Sequence, residues 1–156
     1  MVDSNLAIGS PAFTDGGLIP IRYTADGDNI NPPLVISGVG QQVRTLVLIV
    51  DDPDAANDPD GPGKTYDHWV VFNIPPETRV IEEDSFPDNS VVGKNSSGKN
   101  SYFGPSPPNG THSYHFKLYA LSQPLTLNEN VTKQDVEAAM EDKVIAQASL
   151  IGRYAR

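Results

Sequence analysis

The sequence predicts a mainly β domain, an antiparallel β-sandwich of Greek-key type with a C-terminal helical segment. Three observations predict it. The chain carries 14 prolines and 13 glycines, concentrated in its first 125 residues, which leaves short β-type runs and little room for helix. Those runs are rich in β-branched and aromatic residues and are bounded by turn formers. From Thr132 onward the apolar spacing changes to three and four residues, the helical period. At 156 residues the chain fits a single domain, 1–156, long enough to bury a proper core.

The first strand candidate is Leu18 to Tyr23, and after it comes the turn-rich stretch TADGDNINPPL, residues 24–34. Short strand runs are expected at Leu34 to Ile36, at Thr45 to Val50 and at Val70 to Ile74. The acidic loop before the last of these, Pro53 to Tyr66, is more than twice the roughly 4 to 6 residues usual in compact domains, a length that goes with function or disorder. Asp84 to Asn100 reads as a long irregular connection. In the strand Thr111 to Leu121, alternation puts His112, Tyr114, Phe116, Leu118 and Ala120 on one face, with Ser113, His115, Lys117 and Tyr119 on the other. Val136, Ala139, Met140, Val144, Ala148 and Ile151 then recur as on a helical stripe, forming one element or two short ones with Asp142 and Lys143 where a break would fall. Thr132 and Asp135 have capping-box spacing.

Composition excludes several functions. A net charge of −9 with only 11 scattered Lys and Arg argues against nucleic-acid binding, which draws on clustered cations, and against an anionic membrane surface. With no cysteine there is no disulfide framework and no thiolate metal site. The N-terminus, MVDSNLAIGSPAF, has an early acidic residue and no apolar stretch long enough for a signal peptide or a membrane span, so a cytoplasmic protein is expected. The acid run Asp51, Asp52, Asp54, Asp58 and Asp60 invites a calcium reading. Its spacing lacks the glycine and the bidentate glutamate of a calcium-binding loop, so an acidic turn is expected and no metal site is assigned.

Two segments carry candidate chemistry. In LVLIVDDPDAANDPDGPGKTYDHWVVFNI, residues 46–74, antiparallel pairing of the flanking strands would bring Asp52 and His68 to the same end of the sheet. A carboxylate there favours the imidazolium, which can offer an N–H to an anionic ligand. In YFGPSPPNGTHSYHF, residues 102–116, Gly104, Pro105, Pro107, Pro108 and Gly110 form a stiff loop that delivers His112 and Tyr114 directly onto a strand.

Together these segments resemble the phosphatidylethanolamine-binding protein family, also called Raf-kinase-inhibitor-like proteins. The family's first region reads D-P-D-x-P followed by a His beside a strand. Here it is Asp52-Pro53-Asp54-Ala55-Ala56 and Asp67-His68-Trp69, with Ala56 in place of the usual proline. Its second region reads G-P-x-P-P-x-G-x-H-x-Y, matched from Gly104 through Gly110 to His112 and Tyr114. Ser106 stands where the animal and plant branch has glycine, which aligns the chain with the prokaryotic branch. DGDNINPPL, residues 26–34, is similar to the family's early conserved turn, so the resemblance covers nearly the whole chain.

The resemblance implies a β-sandwich with a C-terminal helix and a small pocket for phosphate-like anions or phosphoethanolamine head groups. Asp52, Asp54, His68, His112 and Tyr114 would line it, Gly104 and Pro105 would form its wall, and Trp69 would pack beneath. It implies no cofactor, and a ligand-regulated binder of other proteins such as a kinase or protease rather than an enzyme. The alternative is an acid–base or metal-assisted hydrolase using the Asp and His cluster. Against it, no cysteine is present, no serine lies in a nucleophile elbow, and Ser106 and Ser113 have no assigned base.

Overall fold

The computed structural model describes residues 5–156, so the first four residues of MVDSNLAIGSPAF lie outside the described residues. The elements are β1 (Ala7–Gly9), β2 (Leu34–Ser37), β3 (Thr45–Asp52), β4 (Tyr66–Ile74), β5 (Val80–Ile81), β6 (Val91–Val92), β7 (Thr111–Leu121), α1 (Lys133–Met140) and β8 (Val144–Ala155). They form two antiparallel sheets packed as a sandwich. The smaller has the order β1-β2-β5 and the larger β6-β4-β3-β7-β8.

The continuous apolar runs of β3 and β4 result from burial on both faces. Leu46, Leu48 and Val50 of β3, with Trp69 and Val71 of β4, face the smaller sheet and pack with Leu34, Ile36 and Ile81. Val47, Ile49, Val70 and Phe72 point the other way, onto Val136 and Met140 of α1. β7 presents Tyr114, Phe116, Leu118 and Ala120 to the sandwich interior, in the alternation read from its sequence. Among the described residues no helix is long and apolar enough to cross a membrane.

Two local expectations are corrected. Leu18 to Tyr23 is not a strand: Leu18 makes an isolated bridge to Arg153, and Ile21–Tyr23 is a single 3-10 turn. Pro20, which lacks an N–H, interrupts the run and heads that turn. The helical stripe also ends early. The chain turns at Asp142 and Lys143, but the next element is β8, paired with β7 from Val144 to Ala155. Its buried positions Ala146, Leu150 and Gly152 are spaced by even numbers, as a strand requires, and the fit of Val144, Ala148 and Ile151 to a helical stripe is coincidental. The helix itself opens as expected, with the Asp135 carboxylate accepting from the Thr132 N–H at 3.0 Å.

Candidate functional site

One irregularity in the larger sheet assembles the site. Val50 pairs with Trp69, yet the next residue, Asp51, pairs with Asp67, so His68 is an extra residue on β4, a bulge. Without it, alternation from Trp69 would send His68 to the helix-covered face. The bulge instead leaves Asp67 on that face and places the His68 ring among Tyr66 and Tyr114, at centroid distances of 4.8 Å and 5.2 Å. Asp52 and Tyr66 are paired one step further along, at the same sheet end.

His112 is the centre of the arrangement. Its Nδ1 lies 2.6 Å from Asp52 Oδ2 and its Nε2 lies 2.8 Å from Asp58 Oδ2. Both carboxylates are set by the same local device. In Asp52-Pro53-Asp54 the first carboxylate accepts the third residue's N–H through Oδ1 at 3.0 Å, and Asp58-Pro59-Asp60 repeats this at 3.0 Å. Each tripeptide then gives its other carboxylate oxygen to one side of the same imidazole. Because both partners are acceptors, the ring is held as an imidazolium that donates from both nitrogens. Burial works against the charge, but the bonds to Asp52 and Asp58 outweigh it and raise the His112 pKa above its ordinary value. The Asp58 carboxylate, also bonded by the Asn109 side chain and backbone, is lowered to about 2, with the Asn109 side-chain bond the largest cause.

His68 has the opposite character. Its Nδ1 faces the Phe103 carbonyl oxygen, which can only accept, so the proton sits on Nδ1 and Nε2 is an acceptor. Burial lowers its pKa to about 4, so the ring is neutral at neutral pH. The Tyr114 hydroxyl is buried, approaches the backbone of Ser106 and makes no well-formed hydrogen bond. Burial raises its pKa further above the usual phenol value. Asp52, His68, His112 and Tyr114, with Asp60, Pro62, Tyr66, Phe103 and Pro108, line a cavity of about 190 Å³. That is below the roughly 300–1,000 Å³ of drug-sized sites and suits a head group rather than a large ligand.

The structure thus brings Asp52, His68, His112 and Tyr114 around one cavity and places the other three predicted residues behind it. The Asp54 carboxylate accepts the Ser113 N–H at 2.7 Å and so locks the loop onto β7. Gly104 and Pro105 are buried against the early turn: Gly104 N–H donates to Asn29 Oδ1 at 2.7 Å, and Pro105 O accepts from Ala25 at 3.0 Å. From that loop, Phe103, Ser106, Pro107 and Pro108 face the cavity. The expected pairing of Asp52 with His68 is also corrected, since Asp52 bonds His112 instead. Sequence reasoning marks Asp58 only as part of an acidic turn; the repeated Asp-Pro-Asp tripeptide is the signal for its role. Trp69 packs in the core, in aromatic contact with Tyr102.

Comparison with known proteins agrees with this architecture. Residues 9–155 match the family model described as phosphatidylethanolamine-binding protein. A UPF0098 protein of Methanothermobacter thermautotrophicus is 49% identical over 150 residues, covering 93% of this chain and 95% of the relative. The crystal structure described as a phosphatidylethanolamine-binding protein homologue, CT736 of Chlamydia trachomatis, superposes with a TM-score of 0.89 at 36% identity, covering 99% of each chain. YbcL of E. coli, described as a member of the mammalian family, gives 0.88 at 26% identity, covering 98% of this chain and 99% of its own.

Proposed function

This chain belongs to the phosphatidylethanolamine-binding protein family, and we propose that it binds a small phosphate-type or phosphoethanolamine-like head group in the cavity between Asp52, His68, His112 and Tyr114. The observation that carries this reading is the Tyr114 hydroxyl, buried with no well-formed hydrogen bond among the described residues, beside a charged His112. A buried donor is costly to leave unpaired, and a ligand oxygen would satisfy it. His68 adds a condition: its Nε2 accepts, so the ligand must bring a donor of its own. A zwitterionic head group has both ends, an anionic oxygen for Tyr114 and an ammonium for His68 or the aspartates. Monoprotonated phosphate meets the same requirement.

The hydrolase alternative is less well supported, because His112 has both nitrogens committed to carboxylates and His68, whose pKa is lowered to about 4, offers only a weak base at neutral pH. A protein partner such as a protease or kinase would meet the stiff proline-bearing rims, where Asn109 ties the two loops together through Asp58 and Asp60. Such a partner should be retained by the immobilised protein in a phosphoethanolamine-dependent way.

The direct test is thermal shift with phosphoethanolamine and with inorganic phosphate on the wild type and on His112→Ala. A ligand specific to the native state raises the melting temperature of the wild type and leaves the variant unmoved. Equal shifts in both proteins would place binding elsewhere.

A further inference from the structure

We infer that Asp58 is an internal competitor for the ligand: its carboxylate occupies the position at His112 Nε2 that an anionic ligand oxygen would take, and so sets the affinity and selectivity of the pocket. This rests on the cavity being the ligand site. The surroundings of Asp58 are those of a bound anion. Its Oδ2 meets His112 Nε2 at 2.8 Å and the Asn109 N–H at 3.1 Å, while Oδ1 meets Asn109 Nδ2 at 2.7 Å and the Asp60 N–H at 3.0 Å. Its side chain is only 2% exposed, although it sits in a loop whose residues Asn57, Pro59 and Asp60 are open to solvent. A surface carboxylate has no need of four donors; these are the donor types that recognise phosphate or carboxylate oxygens.

The competition has a structural reason to be reversible. Asp52 is fixed at the end of β3, whereas Asp58 belongs to the long connection between β3 and β4 and reaches His112 from outside the sheet. Asp58 can therefore leave while Asp52 stays. When it does, His112 keeps its charge through Asp52 and is left with a free Nε2–H on a ring that lines the cavity. An anion entering there gains the imidazolium donor and the Tyr114 hydroxyl together. With Asp58 in place it has the hydroxyl alone, next to the negative charges of Asp52 and Asp60 on the cavity wall. The pocket thereby discriminates against simple anions and favours ligands whose ammonium group can stabilise the released Asp58.

The test titrates inorganic phosphate and glycerophosphoethanolamine, by calorimetry, into wild type, Asp58→Asn, Asp58→Ala and Asp60→Asn. Asp60→Asn removes the same charge from the cavity wall without touching His112. Phosphate should bind the two Asp58 variants about tenfold tighter than wild type or more, the worth of one charge-assisted hydrogen bond, and Asp60→Asn should gain several-fold less, from relief of repulsion alone. Glycerophosphoethanolamine should gain less, because its own cation is no longer needed. Equal tightening by Asp58→Asn and Asp60→Asn would overturn the inference in favour of general repulsion. So would unchanged or weaker binding by the Asp58 variants, while a His112-dependent wild-type signal kept the pocket reading intact. Should Asp58→Ala fail to fold, the isosteric Asp58→Asn decides. Binding by none of the four proteins would remove the pocket reading itself, and the competitor with it.

Discussion

Asp51 and Asp67 face each other across β3 and β4 and share one cation, the Lys133 ammonium, at 3.2 Å and 2.8 Å. Lys117 adds a second contact to Asp51 at 2.7 Å. The cluster lies directly behind the bulge that turns His68 toward the cavity, and it pins the first residue of α1 to the larger sheet. Burial works to lower the Lys133 pKa, yet the bonds and charges of Asp67 and Asp51 outweigh it and hold the ammonium above its ordinary value.

Lys133→Met keeps the side-chain length and removes the charge, leaving Asp67 without its cation. Breaking such a cluster from one side should destabilise the fold by roughly 2 to 4 kcal/mol in urea denaturation. A loss within about 0.5 kcal/mol, typical of an exposed pair, would show that the cluster is solvated and does not hold α1 in place.

The two histidines of the pocket should titrate on opposite sides of the ordinary histidine value. The unfolded chain takes up the His68 proton near pH 6.5 and the folded protein only near 4, so stability falls as pH drops through that window. The loss attributable to His68 should reach about 3 kcal/mol below pH 4, and His68→Asn should flatten this acid limb. For His112 the sign reverses. Its folded pKa is raised, so its contribution is fully present below pH 6.5 and is lost as pH rises through the folded value. Proton NMR titration of the two rings reads both directly, and a His68 midpoint at or above 6.5 would contradict the neutral, accepting ring.

Much of this site is legible in the sequence, and the illegible part has physical causes. β7 is read with its true bounds because every second residue from His112 to Ala120 is buried, the clearest pattern a half-covered strand can show. β8 escapes sequence reasoning because Ala148 and Ile151 are half-buried, which blurs the period-2 signal until it also fits a helix. β1, β5 and β6 are two or three residues long, below what periodicity can resolve. At the site, alternation alone places His112 and Tyr114 on one face. The bulge at His68 inserts a residue that no alternation rule anticipates, and the bond that Asp52 makes reaches His112 across 60 residues, which no local pattern shows. The separation of 54 residues between Asp58 and His112 likewise carries no local signature.

Gly104 should prove structural. A Cβ there would lie 2.6 Å from the Tyr23 carbonyl oxygen and 2.8 Å from the Thr24 Cα, both backbone atoms that cannot swing aside. Gly104→Ala should therefore cost about 1 to 3 kcal/mol of stability, with ligand affinity changing only as far as the Phe103 to Pro108 wall shifts. Normal stability together with lost binding would return Gly104 to the cavity itself.

Tyr114→Phe separates stability from binding most cleanly. In the unliganded protein the hydroxyl is buried without a good partner, an arrangement that costs free energy relative to a hydrogen at the same position. Removing it should leave the fold as stable or stabilise it by about 1 kcal/mol, with the ring still packed against His68 and His112. The same change deletes the donor that the proposed ligand oxygen needs, so phosphoethanolamine affinity should fall about tenfold. Opposite signs in the two measurements mark a group retained for binding at a cost to the empty fold, as is common at functional sites. If the phenylalanine variant instead loses stability and binds as well as wild type, the hydroxyl is satisfied within the protein and the ligand makes no use of it.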